Sequence, residues 1–200
     1  MSLPHITLQN FDPTTLQIGD VVCIRIDNFV FNKVAKATLS WTNHVGIIVG
    51  FKDHEYWVAE STIPFSKIIP LSKFIARSKE GSFTILRLKK PISHDQKIKI
   101  MHAARKKMSI LYDTGFNLYS KGQFCSRFVY EIIKEVTGIE VGEVENFRAL
   151  LRKNPEYGLN FWRIWFLGFI PWKRLTVTPA SLFNSDQLDL IYDYRYQETI

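Results

Sequence analysis

A chain of 200 residues, 46% of them hydrophobic and with only 10 Gly and 8 Pro, has enough apolar material for a packed core and is neither collagen-like nor compositionally disordered. Its 26 Lys+Arg against 19 Asp+Glu leave a formal charge of +7, which favours anionic partners or surfaces without naming one. The two cysteines, Cys23 and Cys125, cannot build a disulfide framework and neither stands in a Cys-x-x-Cys pair, so no metal or cofactor is expected.

Residues 1–19 show no basic segment leading into an apolar run, which predicts a cytoplasmic location, and no repeat or Gly/Ser linker divides the chain, which predicts one domain over residues 1–200. Val21 to Ile26 is a β-branched run that reads as a strand after Gly19-Asp20. Phe29 to Thr38 has a weaker helical pattern and leads into the polar turn Ser40-Trp41-Thr42-Asn43. Val45 to Phe51 is apolar on both alternating faces, as a strand covered on both sides would be, and a turn at Lys52-Asp53 joins it to a second strand, Tyr56 to Ala59. Phe83 to Leu88 predicts another strand. Ser93 to Met108 predicts a basic amphipathic helix with Ser93 as N-cap and Asp95 in its first turn.

Near Cys125 the period changes. Phe128, Val129, Ile132, Ile133 and Val136 form a helical apolar stripe ending at Gly138, which places Cys125 in the first turn of a helix. Glu145 to Arg152 is read as helical, Thr178-Pro179 as an N-cap and first helical residue, and Leu188 to Tyr192 as a last strand. The most apolar stretch, Leu159 to Trp172, is interrupted by Arg163 and ends at Pro171-Trp172, too short for a spanning helix of about 20 residues.

Three residues then stand out by position. A cysteine among apolar neighbours is ordinarily inert, but a helix N-terminus presents unpaired N–H groups and the positive end of the helix dipole, which lower a thiol pKa and can bind an oxyanion. His44 opens the central strand and on its own would be structural; Glu60 on its own would be a solvated strand end. If Gly50 pairs with His54, then Ile48 faces Tyr56, Gly46 faces Val58 and His44 faces Glu60, close enough for a carboxylate to orient an imidazole. A thiol needs such a base, and the imidazolium that results can protonate a leaving group. Cys23, inside a strand with apolar neighbours, reads as a buried structural thiol.

The segments Gly19-Asp20-Val21-Val22, Ser40 to Ile47, Val58-Ala59-Glu60-Ser61 and Phe124 to Val129 resemble the circularly permuted papain-like hydrolases of the NlpC superfamily, in the YiiX/YebB-like branch. The similarity is greatest to the YebB side of that branch and continues through Phe161 to Gly168 and Val177 to Leu182. It implies an α+β fold of permuted papain-like type, a small antiparallel sheet packed against the helix that carries the catalytic cysteine. It also implies Cys125 as nucleophile, His44 as base and then acid, Glu60 as orienter of the histidine, and Tyr112 as a tyrosine near the thiol. His5, His54, His94 and His102 match nothing in the motifs and read as surface residues.

Members of this superfamily cleave amides or move acyl groups, so the resemblance implies a cysteine amidase or peptidase acting through a thioester on a peptide or other amide. The alternative is a lipid acyltransferase or acylhydrolase using the same site. A non-catalytic binder of membrane or nucleic acid is the third reading, drawn from Arg87 to Lys90 and Arg105 to Lys107, although no specific nucleic-acid motif is present. Residues 159–174 hold Trp162, Trp165 and Trp172 with Arg163, Lys173 and Arg174. They read as a late core helix or as a patch for peripheral contact with an anionic membrane.

Overall fold

The computed structural model describes residues 12–195, so His5 lies outside the described residues. β1 (Val21–Ile26) is the β-branched run expected from the sequence. It is pinned at its entrance by Asp20, whose buried carboxylate accepts from Nε and Nη2 of Arg87 at 2.7 Å each. Asp20 of the Gly19-Asp20 pair is therefore an anchor of the sheet, and Arg87 is spent on it.

β1 is followed by α1 (Phe29–Ala37), capped by Asn28, and by β2 (His44–Lys52), β3 (Glu55–Glu60) and β4 (Lys67–Pro70). α2 (Leu71–Ile75) and β5 (Ser78–Leu88) come next. With the C-terminal β8 (Leu188–Tyr194), these strands make a six-stranded antiparallel sheet in the order β4-β3-β2-β1-β5-β8. α3 (His94–Lys106) begins with a capping box between Ser93 and Gln96, and α4 (Cys125–Thr137) ends at Gly138 with φ of 73°. The side chain removed at Gly138 is what lets the chain turn there.

Alternation along β2 separates two cores. Val45, Ile47 and Val49 pack with Ile100 of α3 and Phe128 and Ile132 of α4, whereas Ile48 packs with Val58, Phe74 and Ile75 on the α2 side. The central strand is thus covered on both faces, as its unbroken apolar run requires. Each fully buried Ile or Phe here contributes roughly 1.5–3 kcal/mol.

The hairpin register differs from the expectation. Lys52 pairs with Glu55 across a two-residue turn whose residues Asp53 and His54 have φ of 53° and 60°, the primed geometry that matches strand twist. A bulge between Ile48 and Gly50 then puts Ile47 opposite Ala59 and Ile48 opposite Val58. Continuing that ladder places Gly46, not His44, across from Glu60. The slip is of two residues, so faces are kept and His44 becomes a diagonal neighbour of Glu60, within reach of its longer side chain.

Two further segments depart from the sequence reading. Glu145 lies in a short strand, β6 (Val144–Asn146), which pairs with β7 (Leu175–Val177), and the helix α5 (Phe147–Arg152) starts only after Asn146 accepts from the N–H of Ala149. Only α6 (Asn160–Trp165) of the aromatic stretch is helical, because Leu167 and Gly168 take φ of 51° and 93°. α7 (Pro179–Phe183) begins at Thr178-Pro179 as expected. Among the described residues no helix is long and apolar enough to cross a membrane.

Candidate active site

His44 owes its position to the polar turn before it. Thr42 Oγ1 donates to the Ile24 carbonyl at 2.7 Å, and the Asn43 amide both accepts from and donates to the backbone of Ile26, at 2.8 and 3.0 Å. These bonds dock residues 42–43 on the end of β1 and fix where β2 begins. The His44 ring is fully buried, lying 5.7 Å from the ring of Phe74 and 6.0 Å, edge-on, from that of Phe31.

His44 Nε2 and Glu60 Oε2 are 2.6 Å apart. Nδ1 is buried and makes no hydrogen bond, so it is the ring nitrogen left for the thiol. Glu60 is itself fully buried and would be costly there as an isolated charge. It is held by Arg77, whose Nη2 donates to both carboxylate oxygens at 2.8 and 2.7 Å, with Lys67 Nζ 3.9 Å away. Burial pushes the Glu60 carboxyl up, but the bond and charge of His44 and the guanidinium of Arg77 outweigh it, so Glu60 sits below the ordinary carboxylate value. Arg77 in turn lies over the Phe74 ring at 5.1 Å.

Cys125 is brought to this pair by contacts that no local pattern encodes. Ser61, next to Glu60, donates through Oγ to the Gln123 carbonyl at 3.0 Å, while the N–H of Tyr112 donates to the Pro64 carbonyl at 2.9 Å. Tyr112 also bridges to Gln123, so residues 61–64, 110–112 and 123 form one seam that delivers the chain to the start of α4. The loop ahead of the helix is braced by Asp113, which accepts from Gly115 N, Asn117 N and Ser120 Oγ, and by Arg127, which donates to the carbonyls of Ser120 and Gly122.

Cys125 is the first residue of α4, and its N-cap, Phe124, supplies no side-chain cap, so the first N–H groups of the helix keep no intrahelical partner. The Tyr112 hydroxyl is 3.9 Å from Sγ. Burial pushes the thiol up. The nearby imidazole of His44, the Val45 N–H and the Tyr112 hydroxyl act the other way and leave Cys125 below the ordinary thiol value. The same coupling works on the histidine: burial lowers it, but Cys125 and Glu60 together raise it to about 9. Tyr112, buried against the thiol, is raised well above the ordinary phenol value.

A small cavity of about 30 Å³ adjoins the sulfur, with Phe31, Val34, Phe116, Phe147 and Trp162 among its walls. All four residues singled out from the sequence, His44, Glu60, Tyr112 and Cys125, thus meet in one place. Ser61 belongs to the Val58-Ala59-Glu60-Ser61 segment, whereas Arg77, Phe74 and Gln123 carry no signal in the sequence. Arg77 sits in the short link between a five-residue helix and β5, where neither periodicity nor a motif marks it. His54, His94 and His102 are exposed.

The model of a family described as permuted papain-like amidase enzyme, YaeF/YiiX, C92 family, matches residues 15–192. The chain belongs to that family. It is therefore a cysteine hydrolase of the amidase type, built on the α+β permuted papain-like fold. The uncharacterized protein YiiX of Escherichia coli strain K12 is 24% identical over 183 residues, covering 88% of this chain and 85% of that protein. The crystal structure of the metalloprotein yiiX from Escherichia coli O157:H7 superposes with a TM-score of 0.79 at 22% identity, covering 90% of this chain and 98% of that one.

Proposed function

We propose that this chain hydrolyses an amide bond through a thioester on Cys125, with His44 as the proton carrier and Glu60 as its orienter. The observation that carries the reading is the division of labour on one imidazole: Nε2 is committed to Glu60 at 2.6 Å, and Nδ1 is left without a bond beside a thiol at a helix N-terminus. In the resting site the proton of the thiol resides on His44. Sγ attacks the carbonyl carbon; the oxyanion meets N–H groups at the start of α4 and the Tyr112 hydroxyl. His44 gives its proton to the departing amine nitrogen as the C–N bond breaks. A water that passes a proton back to His44 then attacks the thioester, releasing the carboxylic acid and restoring Sγ.

A half-buried arginine behind the carboxylate supports this assignment, because it keeps Glu60 ionised and so holds the imidazole in one tautomer. The same contacts argue against a metal on these residues. Both Glu60 oxygens already accept from Arg77.

The apolar walls beside Sγ favour a second reading, an acylhydrolase or acyltransferase whose acyl group starts against them. The two are separated by incubating the protein with acyl-aminomethylcoumarin amides and with p-nitrophenyl esters of the same acyl chains. A covalent acyl adduct on the Cys125 peptide from both, with free amine released from the amides, is expected. Turnover of esters alone would favour the second reading, and the absence of any adduct would remove the thioester.

A further inference from the structure

The aromatic stretch divides into two faces with different fates. Trp162, Phe166 and Ile170 turn inward to a cluster with Phe147 and Leu151. Ile164, Leu167 and Phe169 turn outward and are 78%, 88% and 87% exposed. They are large apolar side chains that the fold does not use, and the turn at Leu167-Gly168, with φ of 51° and 93°, holds two of them out at its tip.

Their surroundings are basic. Between Phe147 and Arg174 the chain carries six Lys or Arg against the single acid Glu156. Lys153 is occupied by Glu143 and Glu145, and Arg174 by the Gly115 carbonyl. Arg148, Arg152, Arg163 and Lys173 are exposed and form no ion pair among the described residues. Arg148 and Arg152 flank a surface cavity of about 460 Å³ that also takes in Tyr157 and the indole of Trp172. The hydroxyl of Tyr157 is buried there without a partner.

We infer that residues 148–173 are a docking surface for an anionic phospholipid bilayer: Leu167 and Phe169 enter the acyl boundary, and Arg148, Arg152, Arg163 and Lys173 meet headgroup phosphates. Charge complementarity decides the occupant. Protruding apolar residues ringed by cations and an indole match the headgroup layer of such a bilayer, whereas a second copy of this +7 chain would bring like charges together. The surface is one helix layer from the thiol, since Phe147 and Leu150 of α5 line the cavity beside Cys125 while Arg148 and Arg152 of the same helix line the outer one. Docking would set the hydrolase site at the membrane surface, yet the inference does not depend on that activity and is testable in an inactive protein.

The test is sedimentation of the full chain carrying Cys125→Ala with vesicles of phosphatidylcholine, with and without phosphatidylglycerol. Binding to the anionic vesicles at low salt is expected, about tenfold or more stronger than to phosphatidylcholine alone and weakening as salt screens it. Leu167→Ser with Phe169→Ser is expected to cut binding by about tenfold, and Arg148→Gln with Arg152→Gln by several-fold. Unchanged circular dichroism checks that these exposed substitutions leave the fold intact. Failure to sediment with either vesicle, or equal binding by parent and variants, would overturn the inference. So would a lipid-free dimer that the Leu167→Ser, Phe169→Ser protein loses, because the tip would then be covered by a second copy.

Discussion

Cys23 and Cys125 are two thiols of one hydrophobic core, 0% and 3% exposed, and their acidities run in opposite directions. Cys23 lies mid-strand in β1 opposite Val45, and burial pushes it up to about 12. Cys125 meets the same burial, but it also meets an imidazole, a strand N–H and a tyrosine hydroxyl at a helix N-terminus, and it falls below the ordinary value. Burial alone makes a cysteine inert. What distinguishes the second thiol is the set of charged and polar groups aimed at it, and that set is held in place by a chain of contacts from Arg77 through Glu60 to His44.

The comparison is broken most severely by removing the sulfur. Cys125→Ala is expected to reduce turnover to background, while Cys23→Ala should keep kcat and cost only the roughly 1 kcal/mol of a small core truncation, read from kcat/KM and thermal melts. Equal loss in both would mean that neither thiol is special. Next in size is the link to the carboxylate. Glu60→Gln is expected to lower kcat by about tenfold or more and to shift its alkaline limb downward, since His44 loses one of the charges that raise it; Arg77→Met, which only releases the carboxylate from its second partner, is expected to lower kcat by a smaller factor. A wild-type pH profile in Glu60→Gln would show that the carboxylate only packs.

Gly46→Val sharpens the geometric half of the comparison. A Cβ there would stand 2.5 Å from Val58 Cγ1 and 2.9 Å from Phe74 Cε2, and Phe74 abuts the His44 ring. A loss of about 1–3 kcal/mol in denaturant unfolding is expected, together with weaker thiol activation. The smallest effect is the pH response of the wild type. With Cys125 lowered and His44 raised to about 9, the thiolate and imidazolium coexist between the two values, so kcat is expected to decline above about pH 9 as His44 loses its proton. The thiolate itself survives there, so alkylation should not fall over the same range.

How legible the site was depended on how local its causes are. Helix α4 announces itself through Phe128, Ile132 and the terminal Gly138, so Cys125 at its start could be placed from the sequence. The His44–Glu60 pair emerged in spite of a wrong register, because the tight Asp53-His54 turn and the bulge after Ile48 shift the ladder by an even number of residues. An odd shift would have turned Glu60 to the other face. Arg77 was invisible: α2 is a single turn of helix, too short for periodicity, and the link after it has no composition of its own. The approach of Cys125 to the hairpin was equally hidden, since it rests on Ser61 reaching the carbonyl of Gln123, 62 positions away. The aromatic stretch, read as a late core helix or a surface patch, packs inward at Trp162 and Phe166, but its helix ends at Trp165 because Leu167 and Gly168 take positive φ.

The most direct test of the account is the rate of Cys125 alkylation by iodoacetamide as a function of pH, in Cys23→Ala protein with His44 intact and with His44→Ala. The account predicts that reaction persists well below the unperturbed thiol pKa of about 8.5 and that this acid-side reactivity disappears with the imidazole. A thiol that titrates identically with and without His44 would contradict it.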